Sequence, residues 1–212
     1  MAKNPDSEEE AFLKALQKMS KYKWYRFSPN SGLIEIREKD ELSAPTACLD
    51  KKGNEIIPFC DHLKYLVEAG LYEAGRISDD KSKIYYGFYD TKGNKVVDLL
   101  YTKIWFMSDP RTILVEDENG NHGIFSKKGK IIIPIEYRSI YYKKSVGVFR
   151  VERKDGLEAI FDSKGKKIID FCRITEEKWE NGILLLFAKK KNATYRYIIV
   201  PKKPKATKLV FV

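Results

Sequence analysis

Gly123-Ile-Phe-Ser-Lys-Lys-Gly-Lys-Ile-Ile-Ile-Pro134 is one of four related stretches in the chain. The others are Ala47-Cys-Leu-Asp-Lys-Lys-Gly-Asn-Glu-Ile-Ile-Pro58, Gly87-Phe-Tyr-Asp-Thr-Lys-Gly-Asn-Lys-Val-Val-Asp98 and Ala159-Ile-Phe-Asp-Ser-Lys-Gly-Lys-Lys-Ile-Ile-Asp170. Their turn glycines, Gly53, Gly93, Gly129 and Gly165, lie 40, 36 and 36 positions apart. Recurrence at a period of roughly 20–50 residues marks a repeat architecture.

Each copy carries two short apolar runs around a four-residue turn. In the copy at Ala159, Ile160-Phe161 precedes Asp162-Ser-Lys-Gly165, and Lys167-Ile-Ile169 follows. Aspartate at the first turn position can bond its own backbone two residues on. Glycine at the fourth can take the positive φ of a type I turn with a G1 bulge. The copy is therefore a β-hairpin. Five residues past the turn glycine stands Pro58, Asp98, Pro134 or Asp170. Proline there lacks a donor, so it should end the strand or lie on a sheet edge.

Outward from the hairpin, a polar and aromatic connection leads to a further strand such as Gly147-Val-Phe-Arg-Val-Glu152. Asn119-Gly120 and Asp155-Gly156, 36 positions apart, turn such strands into the next copy. Each unit is thus three or four strands, and connections this short favour antiparallel neighbours. Gly32–Asp40 parallels Gly147–Asp155, so residues 24–40 read as the second half of a unit. The tail Ile199–Lys205 parallels Ile124–Lys130, with Pro204 in place of the turn glycine, and Leu209–Val212 would follow as its second strand.

The copies resemble the WG-repeat family, whose pattern runs Gly-x-Trp-Gly-Leu-Ile-Asp-x-x-Gly-Lys-x-Val-Ile-Pro. Gly120–Pro134 follows that pattern closely. The signature tryptophan is absent, its place taken by Thr46, Tyr86, His122 and Glu158. The glycine after it stays as Gly87 and Gly123 but is Ala47 and Ala159 elsewhere. The resemblance covers about residues 24–205. It implies an all-β repeat array used as a non-catalytic interaction module, with no catalytic residue to carry over.

The expected fold is an all-β, antiparallel β-repeat array of about four full plus two half units. An open curved array is expected, because WG-repeat proteins vary in repeat number. The alternative is a closed five-bladed propeller-like ring sealed by the two halves. One short N-terminal amphipathic helix precedes it. Ser7 and Glu10 form a capping box, and Phe12, Ala15, Leu16 and Met19 share one face. The division is residues 1–23 for tail and helix and 24–212 for the repeat domain. The helix is expected to cap one end of the sheet, or else to meet a partner protein.

The chain has 212 residues, 40 Lys and Arg against 30 Asp and Glu, and formal charge +10. No apolar run approaches the roughly 20 residues that span a bilayer, and Met1–Glu10 is acidic and polar rather than a secretory signal. Cys48, Cys60 and Cys172 show no close pairing, which suits a reducing cytoplasm and buried, apolar roles. No phosphate-binding glycine loop and no zinc ligand set is present, and no cofactor is expected. His122 reads as a strand-face packing residue and His62, beside Asp61, as a solvated neighbour. Asp50, Asp90 and Asp162 occupy equivalent turn positions, which accounts for them without acid–base chemistry. Asp117-Glu-Asn-Gly120 lacks the closing glutamate of a calcium loop and reads as a hairpin turn.

Two features suggest partners. Aromatic residues crowd the connections: Tyr65, Trp105, Phe106, Tyr141, Tyr142 and Trp179 are the candidate protein interface, with Tyr137 beside them. They could equally fill gaps between units. Basic residues crowd the C-terminal region: Lys189, Lys190, Lys191, Arg196, Lys202, Lys203 and Lys205 are candidate RNA or DNA backbone contacts, with Tyr195 and Tyr197 placed to stack bases. They could equally serve solubility and edge protection. The leading expectation is a cytoplasmic accessory or scaffold subunit that binds another protein. The alternative is a basic nucleic-acid-binding accessory protein.

Overall fold

The computed structural model describes residues 22–190, 193–201 and 206–211, with side chains described as far as residue 208. The expected N-terminal helix and the tail turn at Pro204 lie outside the described residues. Among those residues there are nineteen strands, every pair antiparallel. The first sheet holds β1 (Trp24–Ser28), β2 (Leu33–Arg37), β3 (Thr46–Leu49) and β4 (Glu55–Cys60). The second holds β5 (His62–Leu66), β6 (Leu71–Ile77), β7 (Ile84–Asp90) and β8 (Lys95–Tyr101). The third holds β9 (Lys103–Met107), β10 (Thr112–Glu116), β11 (His122–Ser126) and β12 (Ile131–Tyr137).

The last sheet has seven strands. They are β13 (Ser139–Lys143), β14 (Val148–Glu152), β15 (Glu158–Asp162), β16 (Lys167–Glu180), β17 (Ile183–Lys190), β18 (Ala193–Ile199) and β19 (Ala206–Phe211). β16 runs 14 residues. Its first part pairs with β15 from Lys167 to Cys172, and its second part pairs with β17 from Arg173 to Glu180. In every sheet, chain order is also spatial order. The chain divides into two compact units, residues 1–104 and 105–212.

With the two parts of β16 taken as separate strands, the count agrees with four full and two half units of four strands, but hydrogen bonding groups the strands half a unit out of step with the sequence copies. The leading half, β1–β2, is completed by β3–β4 within the first sheet. The closing hairpin β18–β19 pairs with β17. Neither half is left unfinished. Pro58 and Pro134 lie, as expected, in edge strands, though β4 and β12 continue past them to Cys60 and Tyr137.

The turn chemistry is as the residue types require. Asp90 Oδ1 accepts the amides of Lys92 (2.8 Å) and Asn94 (2.9 Å), and its Oδ2 accepts the Asn94 side-chain amide (2.8 Å). Asp50 holds Lys52 and Asn54 in the same way. Gly93 closes the turn onto the Asp90 carbonyl with φ 84°. Gly165, with φ 83°, does more: a Cβ built on it would lie 2.1 Å from the Ile132 carbonyl oxygen. The turn after β15 therefore rests directly on β12 of the neighbouring sheet, and only glycine allows that approach.

Sheets pack face to face. In the first unit, Cys48, Ile57 and Cys60 of the first sheet meet Tyr72, Ala74 and Tyr89 of the second. In the second unit, β14 serves two cores. Phe149 and Val151 pack with Ile124, Ile133 and Tyr137 of the third sheet. Val148, on the opposite face, packs with Leu184, Leu186 and Ala188 of β17. Both faces are covered at Val148 and Phe149, and beyond them the strand alternates, with Phe149 and Val151 buried on one face and Arg150 and Glu152 half-buried on the other. Burying one of these apolar side chains stabilises by about 1.5–3 kcal/mol.

At the fourth strand of each repeat the ladder slips. In the third sheet His122 faces Tyr137 and Ile124 faces Ile133, so Pro134, Ile135 and Glu136 all lie opposite Gly123. In the second sheet Asp98, Leu99 and Leu100 lie opposite Gly87. The first and last sheets bulge less. Pro58 and Phe59 lie opposite Ala47, and Asp170 and Phe171 opposite Ala159. In the first three sheets these bulges bend the outer strand and carry the chain toward the next strand pair, and in the last they turn β16 from β15 toward β17.

Candidate interaction surface

The tryptophan position of the repeat lies beside this bulge, and each sheet fills it with a group that has a partner. Thr46 Oγ1 accepts from Arg37 Nε at 3.1 Å. His122 Nε2 lies 3.3 Å from Glu116 Oε2. Glu158 accepts a two-pronged bond from Arg150, at 2.6 and 2.8 Å. Tyr86 meets the edge of the His62 ring, with centroids 5.8 Å apart. His62 is thus no solvated bystander. It opens β5 and its Nε2 lies 3.0 Å from Glu73 Oε1. At three of the four positions a polar pair stands where the repeat pattern has an indole, although His122 Nδ1 is buried without a hydrogen-bond partner.

The cysteines are free and buried. Burial pushes the Cys48 thiol up to about 12 and the Cys60 thiol up to about 11. Neither is ionised near neutral pH, so neither offers a thiolate nucleophile. Among the described residues no group of three or more His, Cys, Asp or Glu could hold a metal ion. Among the described residues, two open clefts stand out. One lies by the β6–β7 turn, against Asp61, Asp79, Lys81 and Lys83, and the other between Glu136–Tyr137 and Arg153–Asp155. Neither lining contains a histidine or cysteine.

The six candidate interface aromatics separate into two groups. Tyr65, Phe106 and Tyr142 occupy the fourth position of their first strands and are half-buried. Tyr65 packs on Tyr72 with ring centroids 4.9 Å apart, and its hydroxyl donates to the Asn30 carbonyl at 3.1 Å. Tyr142 packs on Phe149 at 5.0 Å. Tyr65 and Tyr142 thus fill gaps in and between sheets. Trp105 and Tyr141 stand at the third position, on the other face of the same strands, 43% and 62% exposed. Trp179, on the second part of β16, is 50% exposed.

Around Tyr141 the structure is fixed by charge. Tyr141 lies opposite Arg150 in the ladder. Besides Glu158, Arg150 donates to Glu177 at 3.1 Å, and Lys143 reaches the same carboxylate at 2.6 Å. Partly buried networks of this kind hold side chains in place more firmly than isolated surface pairs do. Sequence reading missed Tyr25, on β1, which is 51% exposed although its equivalents Ile104 and Ile140 are buried.

The C-terminal basic residues are only partly brought together. Lys189 is exposed at the end of β17, cross-strand from Arg173. Lys190 is tied to Asp170 at 2.9 Å, and Lys167 reaches the other oxygen of that carboxylate at 2.7 Å. The two ammonium groups hold the Asp170 carboxyl far below its usual range. Arg196 is half-buried in β18. Lys191, Lys202, Lys203 and Lys205 lie outside the described residues. Tyr197 is core, packed with Leu184 and Leu186, and Tyr195 packs against the same cluster under the Lys208 ammonium, 4.1 Å from its ring centroid. These two tyrosines are committed to packing.

Among the described residues no helix is long and apolar enough to cross a membrane. No curated protein matches the chain. Among solved structures, the WD40 beta propeller domain of Doa1 is similar at 13% identity and a TM-score of 0.27, over 89% of this chain and 67% of that one. The Dos1 propeller is similar at 11% identity and a TM-score of 0.30, over 89% of this chain and 61% of that one. The family described as WG containing repeat matches residues 86–119 and 123–157, which begin at β7 and within β11. These two adjacent repeats are WG containing repeats.

Proposed function

We propose that the protein is a non-catalytic interaction module, an accessory or scaffold subunit that binds another protein through exposed aromatics on the first strands of its sheets. The observation that carries this reading is the pair Trp105 and Tyr141. They occupy the same position of successive first strands in the second unit, and both are exposed, Trp105 by 43% and Tyr141 by 62%. Rigid aromatics beside fixed charges are the side chains that dominate binding energy at protein interfaces. Trp179 extends the aromatic surface along β16.

The test compares captured proteins, identified by mass spectrometry, for the native chain and for W105A/Y141A. A partner retained by the native chain and lost by the variant supports the reading. Identical capture by both would remove these residues from the interface. Circular dichroism of the two proteins, expected to coincide, separates lost binding from lost fold.

A further inference from the structure

Going beyond that protein-binding reading, the hairpin turns carry a second surface. The turns after β11 and β15 read Ser126-Lys-Lys-Gly-Lys130 and Asp162-Ser-Lys-Gly-Lys166. Turn geometry needs an acceptor at the first position and glycine at the fourth. It leaves the second, third and fifth free. Those positions hold Lys127, Lys128, Lys130, Lys164 and Lys166.

The opposite end of β11 supplies an internal control. There the turn Asp117-Glu-Asn-Gly-Asn121 closes in the same way, with the glycine amide on the first carbonyl at 3.1 Å, against 2.9 Å for Ser126–Gly129. Asp117 Oδ1 accepts two amides, as Ser126 Oγ does. Yet the first turn has formal charge −2 and the second +3. The fold asks for neither charge. Serine in place of aspartate at 126 keeps the amide acceptor while removing the negative charge from the lysine end.

The two lysine turns are neighbours. The turn at Gly165 rests on Ile132, two residues past Lys130. Of the five lysines, Lys128, Lys130, Lys164 and Lys166 are exposed, and none has a carboxylate partner among the described residues. Asp162, the one acid in these two turns, spends its Oδ1 on the amides of Lys164 and Lys166. At the same end the preceding turns add Lys144, which holds Asp109 at 3.5 Å, and Arg111. In the first unit, the turn at Gly93 rests on Ile56 beside the Asp50–Asn54 turn, and these turns carry Lys51, Lys52 and Lys92.

We infer that the lysine turns of the second unit form a binding surface for the phosphate backbone of a nucleic acid, read without regard to base sequence. Like charges repeated at a structural interval match a partner whose own charges are regularly spaced. The turn tips hold no apolar side chain that could enter a bilayer. Binding by released counterions follows, with log affinity falling by about 0.7–0.9 per contact for each tenfold rise in salt.

The experiment measures anisotropy of labelled mixed-sequence single-stranded and duplex 20-mers with the full chain between 50 and 200 mM salt. K127E/K128E/K164E/K166E should weaken binding and flatten the salt slope by about 3, as four lost contacts require. The neutral set K127Q/K128Q/K164Q/K166Q should flatten it by a similar amount. K154E, on the opposite turn, should leave binding within about twofold, since it removes no phosphate contact. No binding of the native chain at 50 mM salt overturns the inference, whether or not it binds anionic vesicles. So does an unchanged slope in both quadruple variants, or an equal loss from K189E alone.

Discussion

The third sheet and the seven-stranded sheet meet one local problem in different ways. In each, the fourth strand leaves the ladder with the third, toward the next sheet in the one and toward β17 of the same sheet in the other. In the third, three residues, Pro134 to Glu136, lie opposite a single residue, Gly123. A Cβ on Gly123 would sit 2.5 Å from Ile135 Cγ1 and 2.9 Å from its Cα. In the seven-stranded sheet only Asp170 and Phe171 lie opposite Ala159, whose side chain is wholly buried and accommodated. The second sheet repeats the glycine solution, with Val97 O 2.4 Å from a Cβ on Gly87. The first repeats the alanine solution at Ala47. The second glycine of the repeat pattern thus reports the size of the bulge. Three residues fold back over the facing strand and leave no room for a methyl group, whereas two leave room.

The largest effect is expected where these sheets touch. Gly165→Ala combines a left-handed backbone with contact against the Ile132 carbonyl, and should destabilise by about 4 kcal/mol. Gly156→Ala shares the positive φ but meets nothing within 4 Å, and should cost only about 1 kcal/mol. Urea unfolding of both variants measures the difference, and equal losses would mean that the contact with β12 contributes nothing.

Next come the bulge glycines themselves. Gly87→Ala and Gly123→Ala should each cost about 2–3 kcal/mol, because a methyl group must displace backbone or buried side chain. A silent Gly123→Ala would break the link between glycine and bulge size. The reverse change should be mild. Ala159→Gly and Ala47→Gly are expected to lose about 0.5–1 kcal/mol, chiefly from the added freedom of the unfolded chain.

The smallest effect is on acid stability, and it separates the turns. Burial pushes the Asp90 carboxyl up, but bonds from the Asn94 side chain and the amides of Asn94 and Lys92 outweigh that and hold it below its usual range. A carboxyl depressed in the folded state stabilises above its unfolded value, near 3.9, and that contribution fades as pH falls through the folded value. Asp90→Asn should therefore flatten the loss of stability below about pH 4. Ser126→Ala, which removes no carboxyl, should leave the slope unchanged while lowering stability at every pH.

The turns were legible in the sequence because their chemistry is local. Asp90 and Gly93 determine their geometry within five residues. The phase of the sheets was not legible, since fourth and first strands abut with only Asp61, Thr102 or Arg138 between them, and none of these marks a boundary. Adjacent aromatics such as Trp105-Phe106 and Tyr141-Tyr142 promise one ring inward and one outward, because strand residues alternate faces. Register decides which, and register is set by partners elsewhere in the chain. Lys190 looked free because Asp170, its partner, lies twenty residues earlier. The turn lysines carry no motif of their own. The available signal was the contrast between turns at the two ends of one strand.

The uninterrupted course of β16 bears on how the protein comes apart. Elsewhere a single residue outside the strands separates one sheet from the next, so a sheet can release its ladder amides without unzipping its neighbour. β16 donates one end of its backbone to β15 and the other to β17. Fraying of either hairpin is therefore felt along a shared strand, and β13 to β19 should exchange amide hydrogens as one cooperative block. In a repeat chain, where each element ordinarily answers only to its nearest neighbours, that block is the longest correlated segment of the fold.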